Sequence, residues 1–148
     1  MKQPVNAFEI LNEIGIINQL STSRFERSLG DGLTRSQFSV LNNFVRLGGT
    51  RTPAELADAF QVTRGAMTNT LKRLADRGCI KIDVSDEDRR SKIVTITAQG
   101  RRLRNSSIAA TQSDLAELVE AVGEQTLRNL QPLLTKLRVY LDDHRSAD

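Results

Sequence analysis

Cys79 and His144 are the chain's single cysteine and single histidine, and they bound its covalent and metal chemistry. One cysteine cannot close an internal disulfide, and His144 stands in a polar tail with no second soft ligand beside it. No nucleophile, base and orienting group can be assembled around either residue, and no glycine-rich phosphate loop occurs. Neither enzymatic turnover, a metal nor a cofactor is therefore expected. Polar recognition chemistry is better supplied. Arg64, Gly65, Thr68, Asn69 and Lys72 recur at spacings that bring them to one helix face. Threonine and asparagine can hydrogen-bond base edges, glycine permits close approach, and the two cations suit phosphate. A second set, Asp88, Arg89, Arg90 and Lys92, lies in one short charged run. Taken by residue type alone, the first set is equally well a solvated helix face.

The elements that must position these residues are marked by caps and by a change of period. Asn6 with Glu9 has capping-box spacing and opens a first helix through Phe8, Leu11, Ile14 or Ile17, and Leu20. Thr34 with Gln37 opens a second, which carries Phe38, Leu41, Phe44 and Val45 and ends at Gly48 and Gly49. Thr52, Pro53 and Glu55 start a short helix with Leu56, Ala57 and Phe60 inward, and Gln61 and Val62 connect it to another capped by Thr63. In that helix, Arg64 to Arg77, the apolar face is Met67, Leu71, Leu74 and Ala75. Beyond Gly78 the period becomes two. Ile80, Ile82 and Val84 alternate with Lys81 and Asp83, the charged turn Ser85 to Ser91 follows, and Ile93 to Ile96 pairs back as a hairpin. From Thr97 one long helix is expected to run past Gly100 to Val122, with a last helix after Gly123. There Leu127, Leu130, Leu134, Leu137 and Leu141 are spaced by three and four, a heptad seam, and Pro132 should bend the axis.

Length and charge fit this layout. At 148 residues the chain is long enough to bury about 70% of its unfolded surface. The net charge of +3 is unevenly distributed: Thr50 to Arg104 holds 12 Lys and Arg against 7 Asp and Glu, and the remainder holds 9 against 11. A basic centre suits a polyanion. The stretch Ala7 to Leu20 is interrupted by Glu9, Asn12, Glu13 and Asn18, too polar for a secretory signal or a bilayer span, so a cytoplasmic protein without membrane association is expected.

The order of short helix, turn, second helix, strand, charged turn and strand is that of a winged helix-turn-helix. An exposed helix face of this width fits the major groove of double-stranded DNA, and a basic hairpin can reach the neighbouring groove or backbone. In the hairpin and beyond it the sequence resembles the MarR family of bacterial regulators. The family signature is Asp, any residue, Arg, five of any type, Leu-Thr, two of any type, Gly. Here it runs Asp88, Arg89, Arg90, Ser91 to Thr95, Ile96, Thr97, Ala98, Gln99, Gly100, with Ile96 for leucine the one departure. The resemblance implies that Arg90 enters a minor groove, that Asp88 braces the wing by pairing with a basic group, and that the terminal helices interlock two copies as a homodimer. Arg89 and Lys92 suit phosphate. It also implies a repressor on a pseudo-palindromic operator, and a small-molecule effector where a pocket exists.

The expected fold is thus mainly α, one MarR-like domain with a two-stranded β wing and an all-helical dimerisation region. The winged-helix lobe spans about 34–97, and about 4–30 and 98–145 form the helical region. Phe8, Phe25 and Phe38 are candidates for an effector cavity, although core packing is the commoner role of such residues. Cys79 falls where the pattern wants a buried side chain, which argues against the peroxide sensing that cysteines perform in some similar regulators. The rival reading is a winged-helix protein-interaction module that does not bind DNA, against which the cations of both sets argue.

Overall fold

Four threonines and one asparagine set most of the helix starts, because each places an oxygen where orphan amides need an acceptor. The computed structural model describes residues 4–145. The first helix, α1 (Ala7–Leu29), is capped by the Asn6 side chain, which accepts from the amides of Phe8 and Glu9. Reciprocal capping boxes close on α2 (Arg35–Leu47) through Thr34 and Gln37, and on α3 (Pro53–Ala59) through Thr52 and Glu55. Thr63 caps α4 (Arg64–Asp76), and Thr97 caps α5 (Ala98–Ala110). Between these last two, β1 (Ile80–Val84) pairs antiparallel with β2 (Lys92–Ile96) in the register Ile80 to Ile96 and Val84 to Lys92.

Residues up to Thr111 form one compact unit, and those from Gln112 form another. The core of the first is built around Leu41, Phe44, Leu56, Leu74 and Val94, all without measurable exposure. At the wing's base Ile80 is 3% exposed, whereas Val84 near its tip is 59% exposed. The expected alternation therefore loses its buried side as the hairpin leaves the core. Arg51 adds a short third rung that sequence periodicity did not indicate. Its amide donates to Val94 O at 3.2 Å and its carbonyl accepts from Val94 N at 2.7 Å.

The helix expected to run unbroken from Thr97 to Val122 is two helices. Its first part ends at Thr111, whose amide and hydroxyl both donate to Ile108 O, at 3.1 and 2.8 Å. The amide's reach of three residues rather than four tightens the last turn of α5. The second unit then consists of α6 (Gln112–Val122) and α7 (Glu124–Asp143), which contact each other on either side of Gly123. Helix α7 continues through Pro132, whose ring nitrogen has no hydrogen to offer the preceding turn. Among the described residues no helix is long and apolar enough to cross a membrane.

Candidate nucleic-acid interface

The helix-turn-helix is closed by a residue in an unusual backbone conformation. Gln61 has φ of 51°, and its side chain donates to Asp58 O at 2.7 Å while Val62 N donates to Ala57 O at 3.0 Å. These bonds hold the left-handed turn that aims α4. Met67, Leu71 and Leu74, at 3%, 1% and 0% exposure, seat its inner face. Arg64, Gly65, Thr68, Asn69 and Lys72 are all left exposed, as the periodicity requires, and Arg73 joins them. The Thr68 hydroxyl donates to Arg64 O at 2.8 Å. Its hydrogen is thereby committed to the backbone, so towards a base edge it offers an accepting oxygen and a methyl group.

At its far end α4 stops on Gly78, with φ of 69°. The amides of Gly78 and Cys79 donate to Ala75 O and Leu74 O, both at 2.9 Å, the paired bonds of a Schellman closure. Cys79 and Leu74 then pack in the same core. Cys79 is 1% exposed, and burial raises its thiol pKa above the ordinary value although Arg77 pulls the other way. A neutral, enclosed thiol is a poor nucleophile. In the folded protein at neutral pH it should resist maleimide labelling for hours and react within minutes in guanidinium chloride. Rapid labelling of the native form would disprove the burial argument.

In the wing, Asp88 holds the turn together from within. Its carboxylate accepts from the Arg90 amide at 2.9 Å and from the Ser91 hydroxyl at 3.2 Å, and its carbonyl accepts from Ser91 N at 2.9 Å. The partners are an amide and a hydroxyl rather than the basic group that the resemblance implies. The side chains of Arg89, Arg90 and Lys92 are exposed on this braced hairpin. One cation of the wing is already paired, Lys81 with Asp83 at 3.5 Å.

The remaining predicted residues fall into two groups. On α7, Leu127 and Leu137 are half-buried, and Leu130, Leu134 and Leu141 are 40%, 42% and 49% exposed. Sequence reasoning missed Leu133 and Tyr140, which are more exposed still at 65% and 59%. Their spacing of seven, one position from the seam, was the available signal. Of the three phenylalanines, Phe25 and Phe38 meet edge to face with centroids 5.0 Å apart. Phe8 does not join them. It is 75% exposed, at the other end of α1 and about 25 Å away along the helix axis. His144 closes α7, with Nδ1 2.8 Å from Tyr140 O and its ring stacked on Tyr140 at 4.2 Å.

Known proteins carry the same arrangement. The sequence profile of the MarR family matches residues 31–91, from the loop before α2 to the end of the wing turn. The chain is 29% identical over 118 residues to YdgG, an HTH-type transcriptional regulator of Bacillus subtilis strain 168, covering 78% of this chain and 77% of that protein. Among solved structures, the regulator BldR of Sulfolobus solfataricus superposes with a TM-score of 0.74 at 26% identity, covering 92% of this chain and 99% of BldR. Wild-type MarR of E. coli in its apo form gives 0.74 at 25% identity, covering 92% and 98%. With a helix-turn-helix and wing of this build, the chain has the winged-helix fold of the MarR regulators, and its residues 31–91 carry the sequence profile of that family.

Proposed function

We propose that the protein is a cytoplasmic repressor that binds a pseudo-palindromic operator as a homodimer. The observation that carries this reading is the exposed α4 face of Arg64, Gly65, Thr68, Asn69 and Lys72, set in one compact unit with a braced wing that presents Arg89, Arg90 and Lys92. Asn69 can pair bidentately with adenine, and Thr68 can meet a thymine methyl or accept from an amino group. Arg64, Lys72, Arg89 and Lys92 hold phosphates, and Arg90 enters the minor groove. Two such units related by a dyad read half-sites about one helical turn apart.

The second copy is supported by uncovered apolar surface. Among the described residues twenty large apolar side chains are exposed, and sixteen of them lie on α1, α6 and α7. Surface of that kind marks an interface in a stable protein. A small effector releases the operator by binding one dimer geometry better than the other. Phe25 and Phe38, where α1 meets α2, are the candidates to feel it, whereas the exposure of Phe8 suits the interface between copies.

Selection of bound sequences from a random duplex pool, at two salt concentrations, tests the function. A symmetric site whose binding weakens steeply with salt is expected. On that site Arg90→Ala should cost about 1 to 3 kcal/mol and leave the dimer intact. Enrichment of no site would turn the reading towards a protein-interaction module, and undiminished affinity of the variant would remove Arg90 from the interface.

A further inference from the structure

Three consecutive carbonyls lie just past the end of the recognition helix, and each is served from the start of α5. The Gln99 side-chain amide donates to Arg77 O at 2.8 Å, the Thr97 hydroxyl donates to Gly78 O at 2.6 Å, and the Thr97 amide donates to Cys79 O at 3.1 Å. The Gln99 carboxamide also lies across Gly78, within 3.4 Å of where a Cβ would stand. The bonds bridge about twenty residues of chain and tie α4 to α5 at the base of the wing. Helix α5 in turn packs on α1 and α2 and continues into α6 at Thr111. A displacement of α5 is therefore felt at the C-terminal end of α4, two turns from Asn69.

Of the three donors, only Gln99 is free of other duties. Thr97 also caps α5, accepting from Gly100 N at 3.1 Å. Gln99 is exposed and contributes nothing to the core, so its bond to Arg77 O fixes an orientation more than it stabilises the fold. We propose that Gln99 is a positioning residue for DNA recognition, holding the last turn of α4 on α5 so that the face of Thr68, Asn69 and Lys72 keeps one pitch relative to the wing. This rests on the DNA-reading role assigned above to that face.

Gln99→Met removes the donor at nearly constant size and without a charge. Gln99→Lys keeps a donor of similar reach. In the purified full chain, the Gly78 and Cys79 amides of Gln99→Met should exchange with deuterium about three- to ten-fold faster, and Gln99→Lys should restore protection. The ratio of operator to non-operator affinity should fall by a similar factor in Gln99→Met and recover in Gln99→Lys. Expressing binding as a ratio cancels the extra phosphate attraction of the lysine. A role in stability alone would lower both affinities together with the folded fraction and leave the ratio unmoved. Unchanged amide exchange in Gln99→Met overturns the clamp, and faster exchange with an unchanged ratio overturns its part in recognition. A wild-type protein that prefers no operator would count against the proposed function instead, and the exchange comparison would still decide the clamp.

Discussion

Gly100→Ala should lower the melting temperature by about 10 °C, although alanine is the better helix former by about 1 kcal/mol. Gly100 is buried in the first turn of α5, and a Cβ built there would stand 2.1 Å from Cys79 O, 3.0 Å from Cys79 C and 2.9 Å from Ile96 Cγ1. Two of those three atoms are backbone, so no rotamer change relieves the clash. The start of α5 has to retreat by about 1 Å to reach ordinary contact distances. That retreat strains the bonds from Thr97 to Cys79 O and Gly78 O, at 3.1 and 2.6 Å, and from Gln99 to Arg77 O, at 2.8 Å. Overpacking and weakened hydrogen bonds together outweigh the gain in helix propensity, for a net loss of about 2 to 4 kcal/mol. Thermal unfolding followed by circular dichroism measures it. An unchanged or raised midpoint would mean that propensity wins and that the junction is slack.

That junction illustrates how much of the molecule was legible beforehand. Caps are local chemistry, so Thr34, Thr52, Thr63 and Thr97 were each found where the structure uses them. Periodicity is nearly local too, which is why the inner faces of α2 and α4 and the exposed set from Arg64 to Lys72 emerged together. Gly100 was visible as part of a spacing motif. The reason for it was not, because the carbonyl it must clear belongs to Cys79, far back along the chain. The bridge between Arg51 and Val94 was hidden for the same reason, since no single segment carries the signal for a strand of one residue.

The break at Thr111 is hidden in the sequence for a different reason. Ala109, Ala110, Thr111 and Gln112 contain neither glycine nor proline, and the turn is a tightened one in which the Thr111 amide reaches back three residues to Ile108 O. At Asp88 the residue was identified but its partners were not. A carboxylate in a charged turn invites a cation, yet an amide two residues on and a hydroxyl three residues on lie within easier reach. The leucine seam was legible as a line. The width of exposed apolar surface there, with Leu133 and Tyr140 beside the line, depends on which neighbours are absent in three dimensions.

That width provides the sharper test of the proposed dimer, because Leu133→Glu should give a monomer. Leu130 and Leu137 lie on the seam itself, and Leu137 is already half-buried within its own chain, so charges there would confound association with folding. Leu133 is 65% exposed in the single chain, and glutamate is nearly as good a helix former as leucine. A substitution at this site should therefore leave α7 intact. Across an interface it removes an apolar contact of about 1.5 to 3 kcal/mol and adds a buried charge. A two-fold axis counts each change twice. The combined penalty, on the order of 6 kcal/mol, corresponds to a dissociation constant weakened more than about a thousand-fold. Among the described residues the apolar core of the first unit ends at Ile108, so the lobe that carries α4 and the wing keeps its helical signal whether or not copies associate. Sedimentation equilibrium at micromolar concentration reads the outcome directly. A monomer that retains its circular dichroism and binds the operator far more weakly would establish that the exposed face of α7 joins two copies and that operator affinity depends on the pair. A stable dimer would put the interface elsewhere on the molecule.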